Sequence, residues 1–372
     1  MNNHSWIADR EDEIESRKLE HIKIVLGEDV NYRISTWFEY VYLIHNPLPE
    51  INLDEINMEV TFLGRKFNYP ILIDSITGGV KLAKDINAEL ARLASKYNIP
   101  ISCGSQKAGL LKPELRDTYS VIRDICPNCY VIANIGAQDL IENPIKISEE
   151  VISMIEADAL SIHLNPLQEA IQLESKVRFK GVLNSIKRVI DNINYPVIIK
   201  ETGAGIPGVV AKLFESIGVA AINIAGAGGT SWSAVEAIRN RLKGNDLMAS
   251  IGETFRDWGI PTAASLIEVA SSVKIPIIAS GGIRTGLDIL KSIVLGARLA
   301  GLARPFLDAY FKGRLDKYFN KLVNELRIGM FLVGASKLSD LKKVKYVLLG
   351  DLLEWVKQRV FEVGEYEYRF KA

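Results

Sequence analysis

From about residue 70 onward, short apolar runs rich in Ile and Val alternate with helix-period stretches, the pattern of parallel strands joined by crossover helices. The runs at 70–74, 100–103, 130–134, 159–163, 196–200, 220–224, 276–280 and 299–302 predict eight strands. Between them, amphipathic spacing predicts helices over 82–97, 113–125, 180–190, 207–217, 263–272 and 286–295. Eight strand–helix units predict an α/β fold, a closed (β/α)8 TIM barrel with its chemistry at the C-terminal ends of the strands. An open doubly wound sheet is the alternative, but its glycine fingerprint would follow the first strand, and here the glycine cluster lies near the end. The expected organisation is an N-terminal extension over 1–69 with a hairpin at 60–66, a barrel over 70–335 and a helical tail over 336–372 packed on it. The longest interruption, 226–261, reads as a functional loop with a helix of its own at 233–242.

With 372 residues, 48% of them hydrophobic, the chain can bury the core of one barrel with extensions. Forty-five basic side chains balance 45 acidic ones, so the overall basic field of a nucleic-acid or membrane-surface binder is missing and any anion must be held locally. No apolar run approaches the ~20 residues that span a bilayer, and residues 1–20 are polar and acidic, unlike a signal peptide. The cytoplasm is the expected location. Cys103, Cys126 and Cys129 do not make a secreted disulfide framework. The spacing of Cys126 and Cys129 suits a metal or redox pair, but no further zinc ligands sit at a recognisable interval. The pair therefore reads as structural thiols near a helix end, with a disulfide open for a chain from a hyperthermophile, a source that scarce Gln beside abundant Ile, Lys and Glu points to.

Candidate chemistry gathers at the predicted strand ends. Gly281 and Gly282 let backbone N–H groups face a phosphate, Arg284 adds a fork of donors, and the helix that follows supplies a positive N-terminus. With Ala303 and Arg304, they fall after strands seven and eight, where barrels commonly hold phosphate. Thr77, Ser105, Asn134, Lys200 and Thr230 stand past other strands among small glycine turns, an arrangement suited to a flat ring system with polar edges and a phosphate tail. Flavin mononucleotide (FMN) fits, with Lys200 near the ring edge that gains charge on reduction; the other reading of Lys200 is an ion pair with a barrel carboxylate.

His163, Asn165, Gln168 and Glu169 form the densest polar cluster. Strand alternation lets His163 and Asn165 both face the barrel mouth. The single carboxylate of Glu169 suits Mg2+, which keeps waters and completes its shell from substrate phosphates. The plainer reading makes His163 a satisfied core histidine and Glu169 a solvated helix start. Arg17, Lys18 and His21 read either as an ordinary charged helical turn or as a basic flap over a phosphorylated substrate.

Arg-Lys-x-Glu-His at 17–21, Ile-Thr-Gly-Gly at 76–79, Gly-Ser-Gln at 104–106, His-Leu-Asn-Pro-x-Gln-Glu at 163–169 and Gly-Gly-Thr-Ser-Trp at 228–232 occur in that order, with Ser-Gly-Gly-Ile-Arg at 280–284. Together they closely resemble the type 2 isopentenyl-diphosphate delta-isomerases, the flavin-dependent class, from Arg17 to about residue 335. The resemblance implies an FMN site from Ile76, Thr77, Gly78, Ser105, Asn134, Lys200, Thr230, Gly282, Ile283, Arg284, Ala303 and Arg304. It implies substrate contacts from Arg17, Lys18, His21, Ser105, Gln106, Lys107, His163, Asn165 and Gln168, with Mg2+ on Glu169 and His163 and Gln168 as catalytic residues. Three positions depart from the usual pattern: Ile76 replaces Met, Lys107 replaces Arg, and Asn223 replaces Asp. Lys107 exchanges a bidentate donor for a point charge beside the diphosphate.

The implied reaction isomerises isopentenyl diphosphate to dimethylallyl diphosphate with no net redox change, reduced FMN relaying the proton while Gln168 orients it. NADPH as reductant and a homotetramer or larger assembly follow from the same resemblance. The nearest rival on this barrel, an FMN-dependent 2-hydroxy-acid oxidase or dehydrogenase, needs a histidine base after strand six, but His4, His21, His45 and His163 all lie at or before strand four. A nucleotide dehydrogenase lacks its cysteine nucleophile, since none follows Cys129. A flavin-binding protein without catalysis is the reading from another class.

Overall fold

The computed structural model describes the backbone of residues 5–360 and the side chains of 14–360; His4 and the end of the expected tail, 361–372, lie outside the described residues. The N-terminal segment contributes β1 (Val41–Leu43) and an antiparallel hairpin of β2 (Val60–Phe62) and β3 (Arg65–Phe67). Eight parallel strands follow: β4 (Ile71–Ile73), β5 (Ile101–Ser102), β6 (Val131–Gly136), β7 (Ala159–Leu164), β8 (Val197–Glu201), β9 (Ala221–Asn223), β10 (Ile277–Ser280) and β11 (Leu299–Leu302). They close a barrel in which β11 pairs with β4. Helices cover the outside while side chains fill the inside, so both faces of these strands are buried; β4 is wholly apolar, and β8 and β10 begin as apolar runs and turn polar only at their C-terminal ends.

Strand β12 (Tyr346–Leu348) returns to pair with β1, Val41 opposite Leu348, and so ties the two ends of the chain together. That pairing was not legible in the sequence, because two three-residue strands so far apart carry no local signal.

The helices are α1 (Ser5–Gly27), α2 (Lys81–Tyr97), α3 (Lys107–Leu111), α4 (Asp117–Ile125), α5 (Pro144–Met154), α6 (Pro166–Ile171), α7 (Val182–Asn192) and α8 (Gly208–Ser216). They continue with α9 (Trp232–Leu242), α10 (Asp246–Thr254), α11 (Thr262–Ser272), α12 (Gly286–Val294), α13 (Arg304–Phe311), α14 (Leu315–Leu332) and α15 (Gly350–Arg359). None of the described helices is long and apolar enough to cross a membrane. In α2, Ala83, Ile86, Leu90, Leu93 and Ala94 form one buried stripe at helical spacing.

The helix expected over 113–125 is divided. Pro113–Leu115 forms a 3-10 turn, with Arg116 N–H donating to Pro113 O at 3.1 Å, before α4 begins. The loop after β9 holds two helices rather than one, separated by Gly244 at φ +75°, with Asn245 capping α10 by accepting from Met248 N–H. The cysteines expected as thiols are joined: Cys126 and Cys129 form a disulfide across the turn after α4, their Cα atoms 5.3 Å apart. Arg123 fastens the same turn by donating to the carbonyls of Pro127 and Cys129.

Candidate active site

A cavity of about 1000 Å³ opens at the C-terminal ends of the barrel strands, roofed by α1 and α9. At one end, Gly281 (φ +96°) and Gly282 (φ +73°) turn the chain from β10 towards α12, whose N-terminus is capped reciprocally by Thr285 and Asp288. A Cβ on Gly282 would stand 2.4 Å from Thr36 Cγ2 and 2.5 Å from Gly228 O, so only glycine fits there. Arg284 and Arg304 both donate to a single neutral acceptor, Asn31 Oδ1, at 3.0 and 3.2 Å. Arg284 also donates to the carbonyls of Gly228 and Gly282 at 3.4 Å, and Asp308 stands 3.9 Å from Arg304 as a partial counter-charge, which leaves net positive charge and spare donors that fit a phosphate tail. Ile283, Ala303 and Thr230 line the same end.

The middle of the floor is built by hydrogen bonds whose directions can be assigned. Asn134 donates through Nδ2 to Ser75 Oγ (2.9 Å) and Cys103 O (3.2 Å), so its Oδ1 accepts from His163 Nδ1 at 2.9 Å. With Nδ1 donating, the neutral form of His163 leaves Nε2 as an acceptor. Burial, reinforced by Lys200, Lys18 and Lys107, pushes its pKa down to about 3. A histidine buried neutral contributes stability above its ordinary value of 6.5 that is lost as pH falls towards the folded value. Acid titration of thermal stability should thus be shallower for His163→Gln than for the unchanged protein; equal acid sensitivity would contradict the assignment.

Beside it, Lys200 lines the cavity and pairs with a barrel carboxylate, Asp74, at 3.0 Å, the ion-pair reading of this lysine. Ile76 and Thr77 line the floor, and Ser105 presents a carbonyl that accepts from Lys18 Nζ (3.2 Å) and Tyr119 Oη (2.8 Å).

Two residues expected at the cavity are not brought to it. Gln106 is fully buried and turned into the barrel wall, where it donates to Val151 O at 2.7 Å and accepts from Asn134 N–H at 2.9 Å. It holds the N-cap position of α3 without a side-chain cap bond, and the rotation at that helix start sends Ser105 and Lys107 one way and Gln106 the other. Gly78 is a glycine for a different reason, since a Cβ there would stand 1.9 Å from Tyr119 Cε1.

At the opposite end, Arg17, Lys18 and His21 project from α1 towards Lys107. Burial and then the repulsion of Arg17 push the Lys18 ammonium down to about 8. Lys107 pairs with Asp139 at 2.6 Å, a residue sequence reasoning missed. Crowded cations of this kind are relieved by an anion with several charges. Next to them, Glu169 accepts from Asn165 Nδ2 (2.9 Å), Gln138 Nε2 (2.6 Å) and Ser175 Oγ. Asn165 Oδ1 is buried in the cavity wall without a hydrogen-bond partner. No group of three or more His, Cys, Asp or Glu side chains suited to a metal occurs among the described residues. An unpartnered amide oxygen beside one carboxylate fits a hydrated hard cation that takes the rest of its shell elsewhere.

The roof supplies a network that sequence reasoning also missed. Glu236 of α9 is completely buried and accepts from His21 Nε2 (2.8 Å), Gln168 Nε2 (3.3 Å) and Arg239 Nη1 (2.7 Å). Arg239 is held in turn by Glu20 and Glu174. Although burial pushes the Glu236 carboxyl up, His21 and Arg239 outweigh it and bring its pKa to about 2. Gln168 is thereby oriented, its NH2 on Glu236 and its oxygen 3.5 Å from Asn165 Nδ2. Trp232, Ile22 and Val25 give this end an apolar wall. The i,i+3 pair of Glu236 and Arg239 was a signal in the sequence, but such a pair reads as a solvated helix face, whereas Ser233, Glu236, Arg239 and Asn240 of α9 are all buried.

The profile of the family described as FMN-dependent dehydrogenase matches residues 150–347. Solved structures share the fold: the lactate oxidase of Pediococcus acidilactici, with TM-score 0.66 and 16% identity, covers 92% of this chain and 94% of its own. A mandelate oxidase gives TM-score 0.62 at 17% identity, over 92% and 98%. The isopentenyl-diphosphate delta-isomerase of Methanothermobacter thermautotrophicus is 46% identical over 358 residues, 96% of this chain and 99% of that protein. That of Pyrococcus furiosus is 44% identical, over 92% and 89%. With such identity along nearly the full length of both proteins, the chain belongs to the type 2, FMN-dependent, isopentenyl-diphosphate delta-isomerases.

Proposed function

We propose that the chain isomerises isopentenyl diphosphate to dimethylallyl diphosphate, using reduced FMN and Mg2+ with no net redox change, and so supplies isoprenoid precursors. The observation that carries this reading is a single cavity with two separate anion ends, Arg284 and Arg304 at one and Arg17, Lys18 and Lys107 at the other. A 2-hydroxy acid has no use for the second end, and the loop after β9 carries no histidine to act as its base.

When bound, reduced FMN supplies an electron-rich ring edge that exchanges a proton with the alkene. Arg284 and Arg304 hold its phosphate, while Ile76, Thr77, Asn134, Lys200 and Thr230 border the ring. Arg17, Lys18 and Lys107 hold the diphosphate, and Glu169 with Asn165 Oδ1 holds the hydrated Mg2+. Gln168 has no useful pKa and orients rather than supplies a proton. His163 stays uncharged and offers Nε2 as an acceptor. Trp232, Ile22 and Val25 exclude water from the prenyl chain.

NADPH as reductant, a cytoplasmic location and a homotetramer or larger assembly belong to the same reading.

The Lys18 ammonium is charged below about 8 and loses its proton above it. The kcat/KM for isopentenyl diphosphate should therefore fall as pH rises through that value, and Lys18→Arg should remove the fall; a flat wild-type profile would contradict the role. The reading as a whole is tested by anaerobic assay of isopentenyl diphosphate with FMN and Mg2+, with and without NADPH or dithionite. Conversion only with reductant is expected, whereas no conversion, together with stoichiometric reduction of the oxidised FMN by added lactate, would favour the rival.

A further inference from the structure

Beneath the cavity floor lies a chain of buried polar side chains drawn from four strand ends. Asp74, Lys200, Asn223 and Ser280 are between 2% and 8% exposed. Lys200 Nζ and Asn223 Nδ2 both donate to Asp74 Oδ2 at 3.0 Å. Asn223 Oδ1 accepts from Ser280 Oγ at 2.6 Å, and Asp74 Oδ1 accepts from Ser75 N–H at 2.8 Å. Register places Lys200 beside Asn223 on one side and His163 on the other. Lys200 and Ser280 reach the cavity, while Asp74 and Asn223 stand behind them.

The hydrogen bonds run in one sense, Ser280 to Asn223 to Asp74, with Lys200 converging on the same oxygen. An amide at 223 meets this pattern without a shared proton, because it accepts on one atom and donates to a carboxylate with the other. A carboxylate of nearly the same shape would fit the space but would face Asp74 with like charge at about 3 Å, and one of the two would have to share a proton or give up its favourable ionisation.

We propose that Asn223 is a positioning residue that sets the reduction potential of FMN bound in the cavity, by keeping the buried counter-charge on Lys200 to the single carboxylate of Asp74. The inference rests on the FMN reading above. Reduced flavin carries more negative charge than oxidised flavin, so a further carboxylate under the ring disfavours reduction.

The test is the midpoint potential of the FMN-loaded protein, measured by spectroelectrochemical titration without substrate at neutral and alkaline pH. Asn223→Asp should shift the potential negative, further at alkaline pH, where the added carboxyl is ionised. Asn223→Leu, neutral and similar in size, should stay near wild type. The exchange variant Asp74→Asn/Asn223→Asp restores a single carboxylate and should return the potential to the wild-type value, a rescue that a purely structural role does not provide. Coincidence of Asn223→Asp with wild type at both pH values overturns the proposal, as does a shift in Asn223→Leu of equal size or an exchange variant that keeps the full shift. If Asn223→Asp fails to hold flavin, the other two variants decide against wild type: potentials at the wild-type value in both support the proposal, and a displaced potential in either overturns it. A wild-type protein that takes up no FMN sinks the underlying reading itself, whereas one that binds FMN and gives unshifted variants sinks this inference alone.

Discussion

Replacing Glu169 by Gln is expected to lower kcat/KM for isopentenyl diphosphate by about 100-fold or more, ~2.7 kcal/mol of transition-state stabilisation, with FMN uptake unchanged. The carboxylate is the only one proposed for the metal, and three donors already converge on it from Asn165, Gln138 and Ser175. An amide there keeps the shape, loses the charge and turns an NH2 group towards donors, so both the metal and its hydrogen-bonded support are weakened. Because Glu169 bonds Asn165, Gln138 and Ser175 and not Arg284, Arg304 or Asn134, the flavin end should not register the change. Mg2+ titration of activity together with flavin absorbance separates the outcomes. Loss of flavin with an unaltered Mg2+ requirement would show that Glu169 had been misassigned.

A loss of similar size, on the order of 100-fold in kcat, is expected for Glu236→Gln, and here the cause is orientation rather than charge on a ligand. Glu236 is completely buried and accepts from three donors, those of His21, Gln168 and Arg239. A glutamine in its place has one oxygen and must turn its own NH2 towards at least one of them, leaving an unmet buried donor that costs about 1–3 kcal/mol. Gln168 is the partner most free to rotate, since its bond to Glu236 is the longest of the three, and rotating it presents the wrong end of the amide to the cavity. Steady-state kinetics and thermal denaturation should show kcat falling, KM nearly constant and modest destabilisation. A fall confined to KM would place Glu236 in substrate binding instead.

The barrel was readable because its strands are buried on both faces and punctuated by glycine turns, so each announces itself as an apolar run. That Asn134, Lys200 and Arg284 line the cavity was readable for a related reason: they close or follow such runs and have few places to go but the mouth. What the chain hid is contributed from a distance. Asn31 reaches the two arginines from the N-terminal segment, Asp139 meets Lys107 across the rim, and Glu236 lies buried in α9. Adjacency also misled at Gln106 and Gly78. Neighbours in one short motif point in different directions once the chain turns, so Ser105 and Lys107 face the cavity while Gln106 braces the wall and Gly78 makes room for Tyr119. The Cys126–Cys129 disulfide was left open because spacing alone does not distinguish joined sulfurs from free thiols.

Deuterium incorporation in heavy water tests the central claim most directly. The protein is supplied anaerobically with FMN, Mg2+ and isopentenyl diphosphate, with NADPH or dithionite present or withheld. The account predicts that solvent deuterium enters the interconverting diphosphates only when the flavin is reduced. Isomerisation that proceeds equally with oxidised flavin, or reduced and folded protein that exchanges no deuterium, would contradict it.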